Sequence, residues 1–186
     1  GMNLFGCLAA YEEGVADALG RAKEQGMKPA ASAGEACKDA DVVITMLPAG
    51  QHVRDVYLEA ILPNAPRDAL LIDCSTIDVD SARTVARDAS MQGFRAADAP
   101  VSGGTAAASG GTLTFMVGCR EQDFAEVEEA LKPMAKAIIR AGDRVLNHLA
   151  PQDRRVGMVF QSYALYPHLT VREHVALPLI VKKLVK

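Results

Sequence analysis

Apolar residues fall along this chain in two alternating textures. Short continuous runs, Val42–Leu47, Ala69–Asp73, Phe94–Ala97, Leu113–Val117 and Ala137–Arg140, alternate with stretches where apolar residues recur every three or four positions. The runs predict strands, and their lack of polar alternation predicts burial on both faces of a parallel sheet. The periodic stretches predict helices packed on that sheet. In Tyr11–Gln25 the residues Val15, Ala18, Leu19 and Ala22 share one face, and Gly26 ends the helix. Ser32 and Glu35 form a capping box for a short helix through Lys38. Gln51–Leu62 is helical, with Pro63 and Pro66 breaking the chain after it. Asp80–Gln92 is entered through an Asp/Ser cap and closed by Gly93, and Gln122–Met134 is amphipathic with an acidic face. Asn3–Cys7 predicts one more short strand, and a glycine-rich loop follows Phe94–Ala97.

Strands alternating with helices at this spacing predict βαβ units with right-handed crossovers. The fold class is α/β: a Rossmann-like, mostly parallel sheet flanked by helices. From Asp143 the texture changes. Val156–Phe160 predicts a strand, Gln161–His168 a polar and aromatic turn, and Thr170–Lys183 a helix kinked by Pro178. The chain thus reads as residues 2–142, a Rossmann-like α/β domain, followed by residues 143–186, a strand-plus-helix addition packed on or into the same sheet.

Composition narrows the function classes. A net charge of −3 over 186 residues gives no basic footprint for nucleic acid. No apolar run approaches the length of a membrane span. Glu12 and Glu13 interrupt the opening apolar stretch too early for a signal peptide, so a cytoplasmic location is expected. Cys7, Cys37, Cys74 and Cys119 are widely and irregularly spaced, which favours buried thiols over disulfides and predicts no metal site.

The segments Asp41–Pro48 (DVVITMLP), Leu70–Ile77 (LLIDCSTI) and Asp98–Gly118 (DAPVSGGTAAASGGTLTFMVG) together resemble the 3-hydroxyisobutyrate dehydrogenases, within the wider β-hydroxyacid dehydrogenase family. The resemblance implies a domain that binds NAD or NADP and transfers a hydride to or from a short β-hydroxyacid. It implies that Leu47 and Pro48 line the adenosine-ribose side of the dinucleotide. Thr76 would reach the nicotinamide end, and Ser102, Gly103 and Gly104 would take the substrate carboxylate. Plainer readings stand beside these: a strand end at Leu47–Pro48, a turn or helix cap at Thr76, and a sheet-edge turn at Ser102–Gly104. His52 reads as a surface histidine, and Lys132 and Lys136 as solvated.

The departures from that family are specific. Its glycine-rich phosphate loop is reduced to Leu4-Phe5-Gly6 running into Cys7-Leu8-Ala9-Ala10, so the usual first βα unit is missing or merged. Its proton-transferring lysine has no counterpart after Gly142, so no catalytic residue is assigned. Little or no turnover by this chain alone follows.

The segment Gly142–Leu179 resembles the nucleotide-binding subunits of sugar-importing ABC transporters around their Q-loop, with Gln161 at the glutamine position. The chain contains no Gly-Lys pair and hence no phosphate loop, so ATP hydrolysis is not expected. Two further expectations concern the missing central strand. Val156–Phe160 could fill it, or Asn3–Cys7 could take its place directly in a narrower sheet. Open strand edges in either arrangement favour a homodimer. The alternative to an enzyme-derived domain is a non-catalytic chimeric scaffold.

Overall fold

The computed structural model describes residues 7–8, 20, 23–24 and 26–140. Residues 3–6, most of the Tyr11–Gln25 helix and everything from 141 on lie outside the described residues. So do Val156–Phe160, Gln161 and Thr170–Lys183.

The strands are β1 (Cys7–Leu8), β2 (Lys28–Pro29), β3 (Val42–Thr45), β4 (Leu70–Asp73), β5 (Arg95–Asp98), β6 (Val101–Ser102), β7 (Leu113–Val117) and β8 (Ala135–Arg140). The helices are α1 (Ala33–Cys37), α2 (Gly50–Val56), α3 (Leu62–Asn64), α4 (Val79–Met91), α5 (Gly104–Ser109) and α6 (Phe124–Leu131). A π-helical turn, Tyr57–Ile61, joins α2 to α3, and 3-10 turns flank α6. Strands β3, β4 and β5 pair in that order, all parallel. Strands β6, β7 and β8 form a second set, antiparallel at β6–β7 and parallel at β7–β8. This is the Rossmann-like α/β architecture that the alternating pattern predicts.

The two sets are one surface. Asp98 faces Gly118, with reciprocal N–H to carbonyl bonds of 3.0 and 2.8 Å. Val101 faces Phe115 and Ser102 faces Thr114. Between them the Met116 N–H donates to the Pro100 carbonyl at 3.0 Å, so the register runs without a slip from Asp98 to Ser102. Pro100 has no N–H to return that bond, and this gap alone divides β5 from β6.

Two apolar cores lie on opposite faces of the parallel strands. One gathers Leu70, Ile72, Ala97, Phe115, Val127 and Leu131, which places α6 on that face. The other gathers Val53, Tyr57, Ile61, Leu71, Val85 and Phe94, which places α2, the π turn and α4 on the opposite face. Strand β4 shows why: all four of its residues are buried, and Leu70 and Ile72 enter one core while Leu71 enters the other.

Several expectations are corrected. Val42–Leu47 was expected to be buried throughout, yet only Thr45 is, and Ile44 is 38 % and Met46 61 % exposed. Among the described residues β3 is the end of its sheet. Strand β1 pairs with β2 in parallel, and the expectation for Asn3–Cys7 lies, apart from Cys7, outside the described residues. The expected glycine-rich loop contains β6 and α5 instead, because Ala106, Ala107 and Ala108 are strong helix formers. Pro63 sits inside the first turn of α3 rather than ending the helix before it.

The caps agree with expectation. Ser32 Oγ accepts from the Glu35 N–H at 3.1 Å. Glu35 reaches back one residue further than a capping box requires, to the Ala31 N–H at 2.7 Å. Gly26 and Gly93 close their helices at φ of 84° and 86°. Among the described residues no helix is long and apolar enough to cross a membrane.

Candidate functional site at the carboxyl ends of the parallel strands

The parallel strands β3, β4 and β5 end on the same side, at Thr45, Asp73 and Asp98. Open α/β sheets bind ligands along that edge. Their last regular rung is the Cys74 N–H donating to the Thr45 carbonyl at 2.8 Å. Beyond it the two chains part, Met46–Ala49 leading to α2 and Ser75–Ile77 leading to α4.

A buried polar cluster occupies the point of parting. Asp73 Oδ1 accepts from Thr45 Oγ1 at 2.8 Å, from Ser75 Oγ at 2.6 Å and from the Ser75 N–H at 3.2 Å. The Ser75 oxygen accepts in turn from the Leu47 N–H at 2.8 Å. Tyr57, on the π turn, brings its hydroxyl 3.4 Å from Thr45 Oγ1. Thr45, Tyr57, Asp73 and Ser75 are all buried. Satisfying their polar groups within the cluster is what makes that burial tolerable.

The cluster titrates abnormally. Burial is the first cause of a raised Asp73 carboxyl, opposed by the hydrogen bonds from Ser75 and Thr45. Burial, then the charge of Asp73, pushes Asp98 up to about 7. Burial, then the carboxylates of Asp73 and Asp98, pushes the Cys74 thiol up to about 12. Tyr57 is driven well above the ordinary phenol range by burial and then by Asp73. The thiol and the phenol therefore keep their protons at neutral pH and supply neither a thiolate nor a phenolate nucleophile. Asp73 and Asp98 border a small cleft beneath α4, together with Tyr57, Ala82, Val85 and Ala97.

The residues singled out from the sequence fall as follows. Leu47 is half-buried against the core beneath α2 and α4, while Pro48 and Thr76 are exposed. The Ser75 bridge brings the chain segments of Leu47 and Thr76 side by side. Ser102, Gly103 and Gly104 are exposed further along the same direction, past Asp98 and the proline gap. Gly103 has φ 133°, and a Cβ there would stand 2.6 Å from the Ala107 Cβ. Gly104 has φ 68° with open space around it. Both conformations favour glycine and leave the backbone approachable, as an anion contact requires.

His52 is half-buried rather than on the surface; Lys132 and Lys136 are exposed. Cys37, Cys74 and Cys119 are buried. Sequence reasoning passed over Thr45, Asp73, Ser75 and Asp98. The available signal was polarity at the end of each apolar run: threonine closing VVIT and aspartate closing LLID.

Comparison with known proteins places this arrangement. The 3-hydroxyisobutyrate dehydrogenase of Pseudomonas aeruginosa is 46 % identical over 129 residues, 68 % of this chain and 43 % of that protein. The NAD-dependent L-serine dehydrogenase of the same organism is 39 % identical over 143 residues, 76 % of this chain and 46 % of that protein. The solved structure of the Mycobacterium tuberculosis 3-hydroxyisobutyrate dehydrogenase with L-serine superposes with a TM-score of 0.66 at 44 % identity, over 68 % of this chain and 43 % of that one. The chain spans less than half the length of each of these relatives. Residues 9–142 match the family model described as the NAD binding domain of 6-phosphogluconate dehydrogenase. With that match covering most of its length, the chain belongs to this family of NAD-binding domains.

Proposed function

We propose that residues 2–142 act as the dinucleotide-gripping half of a 3-hydroxyisobutyrate dehydrogenase-like oxidoreductase, and that the chain alone turns substrate over weakly or not at all. The observation that carries this reading is the parting of β3 and β4 at their carboxyl ends, with Leu47–Pro48 and Thr76 on its two lips. The donor set fits a dinucleotide: an exposed proline and a half-buried leucine offer apolar contact to a ribose, and an exposed threonine hydroxyl offers a hydrogen bond to a carboxamide. The dinucleotide, NAD or NADP, would supply the hydride chemistry. This chain's residues would position it, and the Ser102–Gly104 backbone would hold the carboxylate of a small β-hydroxyacid such as 3-hydroxyisobutyrate or serine.

The reading extends to a cytoplasmic protein and to a homodimer formed through exposed strand edges. The resemblance of residues 143–186 to an ABC transporter Q-loop, with Gln161 at its centre, rests on sequence alone.

Calorimetric titration of the full chain with NAD⁺ and NADP⁺, with Mg²⁺–ATP as control, tests the proposal. Micromolar to submillimolar affinity for one dinucleotide, and none for ATP, is expected. Heat silence with both dinucleotides up to millimolar concentration would overturn it.

A further inference from the structure

We propose that Ser75 is a positioning residue for the dinucleotide: its hydroxyl replaces the next backbone acceptor of the β3–β4 ladder and sets the shape of the Leu47–Pro48 turn. The inference rests on the reading of Leu47, Pro48 and Thr76 as the cofactor's contacts.

The hydrogen-bond directions are determined by the groups present. Leu47 offers a backbone N–H, which can only donate, so the Ser75 oxygen accepts at 2.8 Å. The Ser75 proton is then free to go to Asp73 Oδ1 at 2.6 Å. A donor on one side and an acceptor on the other leave the hydroxyl a single useful rotation.

Position adds the functional meaning. In a parallel ladder the Thr45 carbonyl accepts from Cys74, and the next bond would run from the Leu47 N–H to a β4 backbone carbonyl. Here that N–H goes to the Ser75 side chain instead. Replacing a carbonyl by a side-chain oxygen lets the strands separate while still holding Leu47, which keeps a crevice open without leaving a backbone donor unpaired. Ser75 is 1 % exposed, so the bond is shielded from water. The residue that follows it is Thr76, and the residue that follows its partner is Pro48. One hydroxyl therefore fixes the spacing between both lips of the crevice. Thr45 Oγ1 shares the same carboxylate oxygen and lies beside the Tyr57 hydroxyl, whereas the Leu47 N–H bonds to Ser75, so Thr45 separates a positioning role from general support of the cluster.

The test uses the full chain with Ser75→Ala and, as control, Thr45→Val, each measured for folding by thermal melt, for Leu47 amide exchange by NMR and for dinucleotide affinity by calorimetry. Both variants are expected to melt lower than the parent. Only Ser75→Ala is expected to speed exchange of the Leu47 amide, by tenfold or more, and to weaken the preferred dinucleotide about tenfold; Thr45→Val should stay within twofold on both. Unchanged Leu47 exchange in Ser75→Ala overturns the proposal. So does unchanged affinity, or an equal loss of affinity in Thr45→Val. If Ser75→Ala does not fold, Ser75→Cys gives the same readouts with a weaker acceptor, and unaltered exchange there refutes the hold. Failure of the parent to bind either dinucleotide refutes the function proposed above and the cofactor role of Ser75 with it. The Leu47 exchange rate then still judges whether Ser75 holds the turn.

Discussion

Burial and the nearby Asp73 hold the Asp98 carboxyl up to about 7, against an ordinary value of 3.8. An unfolded chain releases that proton near its ordinary value, whereas the folded one retains it to near neutrality. Between those values the folded state carries the additional proton. The stability tied to this group is therefore complete below 3.8 and declines as pH rises through about 7. A shift of this size corresponds to on the order of 2–4 kcal/mol, with some loss to solvent screening. Asp98→Asn copies the protonated form. It is expected to melt higher than the parent at pH 8, to match it near pH 4, and to flatten the slope between them. A parent melting temperature that rises from pH 5 to pH 8 would contradict this account. None of this was legible from the letters. Asp98 opens the DAPVSGG segment and Asp73 closes LLID, but their placement side by side depends on the β4–β5 register, which pairs the two residues. Ser75 was hidden similarly, beside a Thr76 that the resemblance made prominent.

Elements whose ends are marked by local chemistry were readable: the Ser32 cap and the closing glycines Gly26 and Gly93 lie where the sequence puts them, and α4 begins one residue before the predicted Asp80, capped by Asp78. Elements decided by packing were not. The π turn at Tyr57–Ile61 carries no marker residue, yet it delivers the Tyr57 hydroxyl to Thr45. Gly50 is a second case. Nothing in the sequence marks it, two residues after Pro48, but a Cβ there would lie 2.2 Å from Ser81 Oγ and 2.5 Å from Asp78 Oδ2. Those atoms form the cap of α4, with Asp78 accepting from the Ser81 N–H at 2.9 Å and from its hydroxyl at 2.7 Å. Glycine lets the start of α2 rest on that cap. Gly50→Ala is expected to cost about 2–3 kcal/mol in denaturant unfolding, from overpacking together with a disturbed cap. A Gly104→Asn change, at an open position with φ 68°, should cost less than 1 kcal/mol, because asparagine tolerates that region. A Gly50→Ala variant as stable as the parent would show that the two helices can move apart freely.

Across the molecule, the alternating texture predicted the parallel sheet, but not how its parts are joined. Arg95 of β5 reaches Glu126 of α6 and the Asp68 carbonyl, tying sheet to helix and to the loop before β4. The run from Asp98 to Ser102 serves β4 on one side, through the Ala99 N–H to Asp73 carbonyl bond of 2.7 Å, and β7 on the other. Amides at Asp98, Met116 and Gly118 are therefore expected to exchange only through global unfolding, at equal free energies; distinct values would mean that the two sets of strands open separately. The outward face of β7 and β8 presents Met116, 39 % exposed, beside Ile139, 53 % exposed. For an engineer, the proline gap dictates where the polypeptide can be re-threaded. New termini placed between Asp98 and Val101 would sever the strand that joins the two sets of described strands and should yield insoluble product. New termini at Gly110–Gly111, where the chain merely turns from α5 into β7, should leave a soluble, cooperatively melting permutant.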